Sequence, residues 1–365
     1  MKTILIAHNY SENSFASMSF QLAHHLASLG NKVIFISHKP FFKSIETTIK
    51  GKGEIIVMSW TSEKRPTGLK DIFWYISIYL KYKPKIVIGH FVGSNITIAI
   101  SKLFSLGKAK TFAYYHTLSS QLATDTKRSF QKSKLLFFRK KMFYKIFCDI
   151  IICPSQFAKE DLESFYTVNK GKVVLNPMTD RFINQKEYLK DKITISYLGR
   201  LDTSKGVLDF ILAFNLFKEN NSDTKIIVNI AGTGSQKSEI EALIAGNNSI
   251  EYYGGLMYSE IDTYLSSSHF TIIPSKFDAL NMVGIESLMN KTPLLISNTT
   301  GLAEYLTDGL ECFKFDATIE SMVALFERVQ KNMQNHEQMC SNARITYLEC
   351  FSINQYFENI TELIL

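Results

Sequence analysis

Residues 193–206, ITISYLGRLDTSKG, indicate the fold class of this chain. The run at 193–198 is short, largely apolar and β-branched, which predicts a buried strand. Gly199 follows directly, and a glycine lets the backbone turn sharply and approach a neighbouring segment closely. A helix-like stretch begins after Gly206. A buried strand that leads through a glycine loop into a helix is typical of a doubly wound α/β sheet.

The same alternation of strand and helix occurs on both sides of this segment. Before it, we predict strands at 3–7, 32–37, 55–58, 86–88, 111–115, 150–153 and 173–175. From it onward, we predict strands at 193–198, 226–231, 250–253, 270–273 and 294–296. Amphipathic stretches such as 15–29 separate these strands, so both groups are expected to form parallel sheets between layers of helices.

A polar connection at about 176–191 separates the two groups of strands. We therefore predict an N-terminal Rossmann-like domain at 1–185 and a C-terminal Rossmann-like domain at 186–345. Helix-like segments begin near 319, 336 and 353. The segment 346–365 is predicted to be a helix that packs back on the N-terminal domain.

The composition excludes several classes of protein. The chain has 365 residues, 45% of them hydrophobic and 21% charged, which is ordinary for about two globular domains and excludes disorder for most of its length. Five cysteines without metal-ligand spacing argue for reduced, packed thiols. The longest apolar stretch, at 72–80, is far shorter than a membrane span, and the first residues are better explained as a strand than as a signal peptide.

Charge is unevenly distributed along the chain. Residues 1–180 carry 26 Lys+Arg and 11 Asp+Glu, a net +15, and the remainder carries 15 and 23, a net −8. The basic excess is concentrated in one helix-like segment with no acid, in Lys127, Arg128, Lys132, Lys134, Arg139, Lys140 and Lys141. We predict that this segment faces an anionic membrane surface. The alternative is a solvated basic face over an ordinary core contact. No nucleic-acid-binding motif accompanies the segment.

Two segments of the C-terminal half supply phosphate-binding chemistry. Arg200 and Lys205 flank the start of the helix that follows 193–198, and two cations beside a helix N-terminus can bind a diphosphate. The segment AGTG at 231–234 places Gly232 and Gly234 at a strand end, where a nucleotide can approach the backbone closely. The glycine spacing does not continue as in dinucleotide-binding motifs, so a nicotinamide-dependent oxidoreductase is disfavoured.

The segment at 273–286, IPSKFDALNMVGIE, carries two carboxylates around a strand-to-helix loop. Asp278 lies in the loop and can accept hydrogen bonds from sugar hydroxyls. Glu286 lies in the following helix and can bind a ribose diol. The free amides of Asn281, Met282 and Val283 are expected to point toward a cleft, because the first N–H groups of a helix lack partners within it.

Together these segments resemble the retaining glycosyltransferases of family 4, which have the GT-B fold. The resemblance rests on YLGRLDTSKG, AGTG, the PSxxD-x7-E run and GLAE at 301–304. It is clear across about residues 190–315. It is weaker in the N-terminal half, where CDIIICPSQFAKEDL and VVLNPMTDRF are similar to family segments. It implies an α/β fold of the GT-B class, in which two doubly wound domains face each other across a cleft.

The resemblance also implies roles for particular residues. Arg200 and Lys205 would bind the donor diphosphate, and Glu286 would bind the ribose. Asp278 occupies the position where the family usually has a glutamate. His116 matches a histidine that lines the family's reaction centre, and His90 is a weaker alternative. The candidate catalytic residues are thus His116, Arg200 and Lys205, and the candidate donor-binding residues are Gly199, Arg200, Lys205, Gly232, Gly234, Asp278, Asn281, Met282, Val283 and Glu286.

The expected activity is transfer of a sugar from a nucleotide diphosphate sugar to a saccharide acceptor, with retention of configuration. A D-x-D motif is absent, so we expect no metal and no other cofactor, with the two cations neutralising the leaving diphosphate. The basic N-terminal half favours a lipid-linked acceptor at the inner face of a bacterial cell membrane, in lipopolysaccharide or capsule assembly. The alternatives are a non-catalytic GT-B module that binds a partner transferase or a glycan, and an epimerase or phosphorylase that acts on nucleotide sugars.

Overall fold

A computed structural model of the chain describes residues 1–8, 14–38, 46–62, 65–90, 92–125, 130–182 and 191–365. These residues form two β-sheets, one in each half of the chain. We call the parts that carry them the N-terminal and the C-terminal unit. Within the described ranges, no helix combines the length and the apolar character needed to cross a lipid bilayer.

The N-terminal unit contains a sheet of eight strands. The strands are β1 (Thr3–Ala7), β2 (Lys32–Ser37), β3 (Glu46–Lys50), β4 (Gly53–Ser59), β5 (Ile86–Gly89), β6 (Lys110–Tyr114), β7 (Ile150–Cys153) and β8 (Gly171–Val173). The helices are α1 (Ser14–Ser28), α2 (Leu69–Tyr82), α3 (Asn95–Phe104), α4 (Ser119–Asp125), α5 (Phe130–Phe147) and α6 (Gln156–Tyr166). The spatial order is β3-β4-β2-β1-β5-β6-β7-β8, and β3 runs antiparallel to β4 whereas the other strands pair in parallel.

The C-terminal unit contains a parallel sheet of six strands. The strands are β9 (Ile193–Leu198), β10 (Ile226–Ala231), β11 (Ile250–Tyr252), β12 (Phe270–Ile273), β13 (Leu294–Ser297) and β14 (Cys312–Phe315), in the order β11-β10-β9-β12-β13-β14. The helices are α7 (Val207–Asn220), α8 (Lys237–Ile244), α9 (Ile261–Ser266), α10 (Met282–Met289), α11 (Ile319–Lys331), α12 (His336–Thr346) and α13 (Ile353–Ile364).

The N-terminal sheet is buried on both faces. Successive residues of a strand point to opposite sides of the sheet, so one strand contributes to both cores. In β1, Ile4 and Ile6 belong to one apolar core, and Leu5 and Ala7 belong to the core on the other face. All four side chains are fully buried. This two-sided burial explains why residues 4–7 of β1 are a continuous apolar run without a polar alternation.

The strand orders place two loop clusters at the sites where such sheets bind ligands. The order reverses between β1 and β5 in the N-terminal sheet and between β9 and β12 in the C-terminal sheet. Ligands of doubly wound sheets bind beyond the carboxyl ends of the strands at this reversal. The segments that follow β9 and β12 are the two that carry the cations and the carboxylates singled out above.

The predicted fold class is confirmed, and most strand positions match. The predictions 3–7, 32–37, 150–153, 193–198, 226–231 and 270–273 have the observed bounds. The structure adds β3 and β14, which were not predicted. The prediction at 173–175 is displaced, because β8 ends at Val173. The predicted boundary between 185 and 186 lies outside the described residues.

Helix α13 belongs in space to the N-terminal unit. Its residues Tyr356, Ile360 and Ile364 are buried in the apolar core that contains β1. The hydroxyl of Tyr356 lies 2.5 Å from that of Tyr114 at the end of β6. The chain therefore crosses from the C-terminal unit back to the N-terminal unit after α12.

Candidate active site

A cavity of about 360 Å³ lies between the carboxyl ends of the two sheets. The N-terminal unit contributes His116, Thr117 and Gln121, which follow β6. The C-terminal unit contributes seven of the predicted site residues, namely Gly199, Arg200, Lys205, Asp278, Asn281, Met282 and Val283. The structure therefore brings together most of the candidate residues of both halves.

The cationic part of the cavity is organised around Asp278. Lys205 Nζ donates to Asp278 Oδ2 over 2.5 Å, and Asn281 Nδ2 donates to the same oxygen over 2.9 Å. The side chains of Lys205 and Asp278 are only 16% and 11% exposed. The ammonium group is thus fixed in place, because a partly buried ion pair restricts a long and flexible side chain.

Asn281 also begins helix α10. Its side-chain Oδ1 accepts a hydrogen bond from Gly284 N at 2.8 Å, which satisfies one of the free amides of the first turn. Its φ of 73° lies in the left-handed region, which asparagine tolerates better than most residues. Met282 and Val283, the first two residues of the helix, line the cavity, so the positive end of the helix dipole faces it.

Arg200 lies at the open side of the same cavity. Its Nη1 donates to Asp202 Oδ2 over 2.5 Å, and its side chain is 52% exposed. Asp202 Oδ1 also accepts hydrogen bonds from the backbone amide and the hydroxyl of Ser235. These bonds and the charges of Arg200 and Lys205 lower the pKa of Asp202, although burial opposes them. A fixed carboxylate therefore orients the guanidinium toward solvent and the cavity.

Three glycines in the segments that follow β9 and β10, namely Gly206, Gly232 and Gly234, allow close contacts between backbone segments. A Cβ on Gly206 would lie 2.0 Å from the carbonyl oxygen of Pro274, and φ at this residue is +68°. A Cβ on Gly232 would lie 1.8 Å from the carbonyl oxygen of Gly199, and one on Gly234 would lie 2.4 Å from that of Leu201. Gly232 and Gly234 are not among the described residues that line the cavity. Their close contacts with Gly199 and Leu201 instead shape the loop that carries Gly199 and Arg200.

Glu286 is placed below the cavity, outside the described residues that line it. It is 3% exposed, and its Oε1 accepts a hydrogen bond from Arg181 Nη2 at 3.2 Å. Arg181 also donates to Asp262 over 2.8 Å and to the hydroxyl of Tyr258 over 2.6 Å. Burial raises the pKa of Glu286 to about 7, with the nearby Asp262 adding to the rise and Arg181 opposing it. Arg181 lies 105 residues from Glu286, so no local pattern in the sequence indicates this contact.

The histidines of the N-terminal unit form a buried group under the cavity. His116 lines the cavity, and its Nε2 lies 3.4 Å from Nδ1 of the fully buried His90. Both rings stack on Tyr114, at 5.2 Å for His116 and 4.0 Å for His90. Burial, together with His8 and Lys140, lowers the pKa of His116 to about 3. The imidazole at the cavity is therefore neutral at physiological pH.

The basic segment of the N-terminal unit lies on helix α5. Lys127 and Arg128 lie outside the described residues. The residues Lys132, Lys134 and Arg139 are exposed, and Lys141 is half-buried. The large apolar side chains Leu135, Phe138 and Ile146 are 57%, 60% and 55% exposed on the same helix. The outer side of α5 thus combines basic and apolar groups.

Lys140, which the sequence predicts to face a membrane, directs its ammonium group inward from the outer side of α5. Its Nζ lies over the rings of Tyr115, Tyr144 and Tyr166, at 5.0, 5.8 and 5.5 Å from their centroids. Burial lowers its pKa to about 8. The physical reason is that Tyr144, one turn further along α5, faces the core, and the aliphatic stem of Lys140 follows it inward.

The two units also contact each other beside the cavity. The hydroxyl of Ser155 donates to the carbonyl oxygen of Ala279 over 2.5 Å. The backbone amide of Gln156, at the start of α6, donates to the hydroxyl of Tyr305 at a distance of 3.0 Å. The next amide, that of Phe157, donates to Glu304 Oε2 at the same distance. A carboxylate of one unit therefore caps a helix N-terminus of the other, which favours negative charge. These contacts hold the described residues on the two sides of the cavity together.

Comparison with known families agrees with this architecture. Residues 16–178 match the profile described as Glycosyltransferase Family 4, and residues 179–346 match that of Glycosyl transferases group 1. The chain belongs to glycosyltransferase family 4. The boundary between the two matched ranges falls in the connection between the two sheets. Each half of this glycosyltransferase therefore corresponds to one of the two profiles.

Individual relatives are distant. The glycosyltransferase is 28% identical to an uncharacterised 41.2 kDa protein in the cps region of Klebsiella pneumoniae, over 67% of this chain and 69% of that one. It is 25% identical to a lipopolysaccharide 1,2-N-acetylglucosaminetransferase of Salmonella typhimurium, over 44% of this chain and 47% of that one. The match thus spans less than half of the Salmonella enzyme.

Solved structures match over the whole length of the chain. Anabaena Alr3699/HepE, solved in complex with UDP and glucose, has a TM-score of 0.74 at 12% identity and covers 100% of this chain and 99% of its own. The lipopolysaccharide outer core galactosyltransferase WaaB, in its apo form, has a TM-score of 0.72 at 17% identity with the same coverage. At these identities the likeness establishes the GT-B fold of the glycosyltransferase.

Proposed function

We propose that this family 4 enzyme transfers a sugar, with retention of configuration, from a nucleotide diphosphate sugar to a lipid-linked saccharide acceptor. The observation that carries the proposal is the convergence of Arg200, Lys205 and the N-terminus of α10 on one cavity between the two sheets. Two cations and free helix amides at one point match the charge and the acceptor oxygens of a diphosphate. In this proposal the C-terminal unit binds the donor, and the N-terminal unit presents the acceptor.

The donor is proposed to bind with its diphosphate between Arg200 and Lys205. The position of Asp278 next to Lys205 lets its second oxygen accept a hydrogen bond from a sugar hydroxyl. Glu286 Oε1 accepts a hydrogen bond from Arg181. A ribose hydroxyl would have to replace Arg181 as the donor to Glu286, or donate to Glu286 in addition to it. The role of Glu286 in donor binding therefore remains a prediction, which nucleotide affinity in a Glu286→Gln variant tests.

The reaction breaks the bond between C1 of the sugar and the diphosphate oxygen. The acceptor hydroxyl forms its bond to C1 on the face that the diphosphate leaves, and its proton passes to an oxygen of the leaving diphosphate. Arg200 and Lys205 stabilise the negative charge that develops on the diphosphate. Neutral His116 lies where it can orient the sugar or the acceptor hydroxyl through a hydrogen bond.

We propose that the reaction needs no metal ion, since the two cations supply the charge that a divalent ion supplies in other transferases. Rates measured in the presence of EDTA and with added Mg²⁺ or Mn²⁺ test this point. Equal rates are expected, and a loss of activity in EDTA that Mg²⁺ restores would contradict it.

The acceptor is proposed to lie at an anionic membrane surface that the enzyme contacts peripherally from the cytoplasmic side. The outer side of α5 supports this, because Lys132, Lys134 and Arg139 are interspersed with exposed Leu135, Phe138 and Ile146. Basic groups attract anionic headgroups, and apolar groups insert at the boundary between headgroups and acyl chains. The Klebsiella and Salmonella relatives, named for a cps region and for lipopolysaccharide, support capsule or lipopolysaccharide assembly as the setting.

The experiment that tests the proposed function is release of nucleoside diphosphate from UDP-, GDP-, ADP- and dTDP-sugars, with and without membrane lipid extract. We expect one donor to be consumed, with stimulation by the extract and with the anomeric configuration of the product retained by NMR. A double variant Arg200→Ala/Lys205→Ala should lose the activity. If no donor is consumed and no nucleoside diphosphate binds, the non-catalytic GT-B module becomes the better explanation.

A further inference from the structure

A second, smaller cavity of about 60 Å³ lies in the N-terminal unit. Its lining includes Asn95, His116, Thr117, Lys140 and Tyr144. His116 and Thr117 line the larger cavity as well. The two cavities therefore adjoin at these two residues, so a molecule that contacts His116 in the larger cavity lies close to the smaller one.

Lys140 is the cation of this smaller cavity. Tyr115, Tyr144 and Tyr166 surround its ammonium group, and their rings pack edge to face on one another with centroids 5.7–6.1 Å apart. Three aromatic faces attract a cation and hold it at a defined position. Aromatic faces provide no oxygen acceptor, however, so they leave the hydrogen-bonding capacity of the ammonium group unused.

The nearest acid does not neutralise Lys140 directly. Asp161 accepts hydrogen bonds from the hydroxyl of Tyr115 and from the amide and hydroxyl of Ser119, the last two at 2.8 and 2.5 Å. Asp161 raises the pKa of Lys140 through its charge, but none of the ion pairs formed by the described residues includes Lys140. Lys140 is thus a half-buried cation that lies against three aromatic rings and has no direct carboxylate partner among the described residues.

The opposite end of the cavity is also electropositive. Asn95 is the first residue of α3, and the N-terminus of a helix carries the positive end of its dipole. The burial that lowers the pKa of Lys140 to about 8 leaves it mostly protonated at neutral pH. The cavity thus offers a cation and a helix end at the point where an acceptor must approach His116.

We propose that this cavity, with Lys140 at its base, is an acceptor subsite that binds a negatively charged oxygen group, either the carboxylate of an acidic sugar or a phosphate of the acceptor. The inference rests on the proposed function, since it needs an acceptor that approaches His116. Binding there completes the interactions of the Lys140 ammonium group and fixes the acceptor relative to the sugar. Specificity for an anionic acceptor follows, because a neutral acceptor cannot form an ion pair with the Lys140 ammonium group.

The test is NMR of the His116 imidazole in the full-length protein, with signals assigned through a His116→Gln variant. The probes are methyl β-D-glucuronide, methyl phosphate and, as the neutral control, methyl β-D-glucoside. We expect saturable shifts of the His116 signals with one or both anions and none with the glucoside. Binding of the glucuronide alone identifies a carboxylate as the ligand, and binding of methyl phosphate alone identifies a phosphate.

Variants at Lys140 separate binding from a structural role. Lys140→Met should weaken anion binding about tenfold or more, since a hydrogen-bonded charge pair is lost. Lys140→Arg keeps the charge and should restore part of the affinity. Lys145→Met, an exposed lysine of the same helix, is the matched control and should bind like the wild type. Circular dichroism and thermal unfolding establish that each variant is folded.

The outcome that overturns the inference is an absence of anion-dependent shifts, or equal affinity in the wild type and in Lys140→Met. Nucleoside diphosphate binding by the wild type is measured in parallel and depends on the other cavity. A wild-type protein that binds nucleoside diphosphate but neither anion refutes this subsite alone. Failure of nucleotide binding instead refutes the proposed function.

Discussion

Lys205 Nζ and Asp278 Oδ2 lie 2.5 Å apart in the lining of the cavity between the two sheets. The pair joins the loop after β9 to the loop after β12, at the reversal of strand order. One of the two proposed diphosphate cations is therefore paired with a carboxylate of the same cavity. An anionic ligand must compete with Asp278 for this ammonium group.

This competition leads to the first prediction, on Asp278→Asn. Without the carboxylate, Lys205 interacts with a diphosphate alone, so nucleoside diphosphate binding should become roughly threefold tighter or more. Turnover should fall, because the proposed contact to a sugar hydroxyl is weakened. Isothermal titration calorimetry and initial rates measure the two effects. Asp209→Asn removes the carboxylate of a similar pair with Lys276, outside the described lining of the cavity, and serves as the control. Weaker binding in Asp278→Asn would contradict the prediction.

The second prediction concerns Arg200→Ala. If the guanidinium stabilises the departing diphosphate, kcat should fall by about 10²–10³ with a smaller effect on donor KM. Steady-state kinetics with saturating acceptor measure the change. Lys237→Ala removes a side chain of equal exposure, 52%, that pairs with Glu241 on α8, and it should leave kcat unchanged. Turnover of Arg200→Ala near the wild-type value would exclude Arg200 from charge stabilisation.

The third prediction concerns pH. Since burial raises the pKa of Glu286 from 4.5 to about 7, the folded protein binds more protons than the unfolded chain between these values. The free energy of unfolding should therefore decrease as pH rises from about 4.5 to 7, by up to roughly 3 kcal/mol from this one group. Urea denaturation at about pH 5 and pH 8 measures the difference.

In Glu286→Gln this contribution to the pH dependence should disappear, whereas the other titrating groups remain. Glu239→Gln, a change at an exposed glutamate of α8, should keep the wild-type pH dependence. An identical pH dependence in Glu286→Gln and the wild type would show that Glu286 is ionised with an ordinary pKa beside Arg181.

The fourth prediction compares two glycines with positive φ. Gly206→Ala places a Cβ 2.0 Å from the carbonyl oxygen of Pro274, so it combines backbone strain with a clash that must separate the loops after β9 and β12. We expect a loss of stability of roughly 2–4 kcal/mol and reduced activity, because Lys205 moves with the loop. Gly246→Ala has a similar φ of +79° and no atom within 4 Å of the new Cβ. It should cost only about 1–2 kcal/mol. Equal losses in urea denaturation would contradict the role of the close contact.

The central strands of both sheets were predictable because they are buried on both faces. The run ILIA at 4–7 is apolar at every position and faces two cores, and such a run is visible in sequence. The edge strand β3, ETTIK, lacks this signal because polar residues occupy most of its positions, and it pairs antiparallel through the turn at Gly51. Strand β14, CFKF, has only four residues, and its lysine interrupts the apolar run, so it also lacks a clear strand signal in the sequence.

The candidate site was predictable where its chemistry is local in sequence. Lys205 and Asp278 each follow a predicted strand, so their meeting at the strand reversal follows from the topology. The contact of Arg181 with Glu286 could not be predicted, because it depends on the path of the connection between the units. The inward direction of Lys140 could not be predicted either. The tyrosines around it come from the residue after β6, from α5 and from α6, and they meet only in the folded protein.

The return of α13 to the N-terminal unit has a consequence for synthesis of the chain. Ile353 is made 180 residues after Val173, the end of β8. At about 5–20 residues per second, the ribosome completes this interval in roughly 10–40 s. During that time the face of the N-terminal sheet that Tyr356, Ile360 and Ile364 cover is exposed to solvent. The N-terminal unit thus finishes folding after the C-terminal unit has been made, and the nascent chain presents an apolar surface of the kind that chaperones bind.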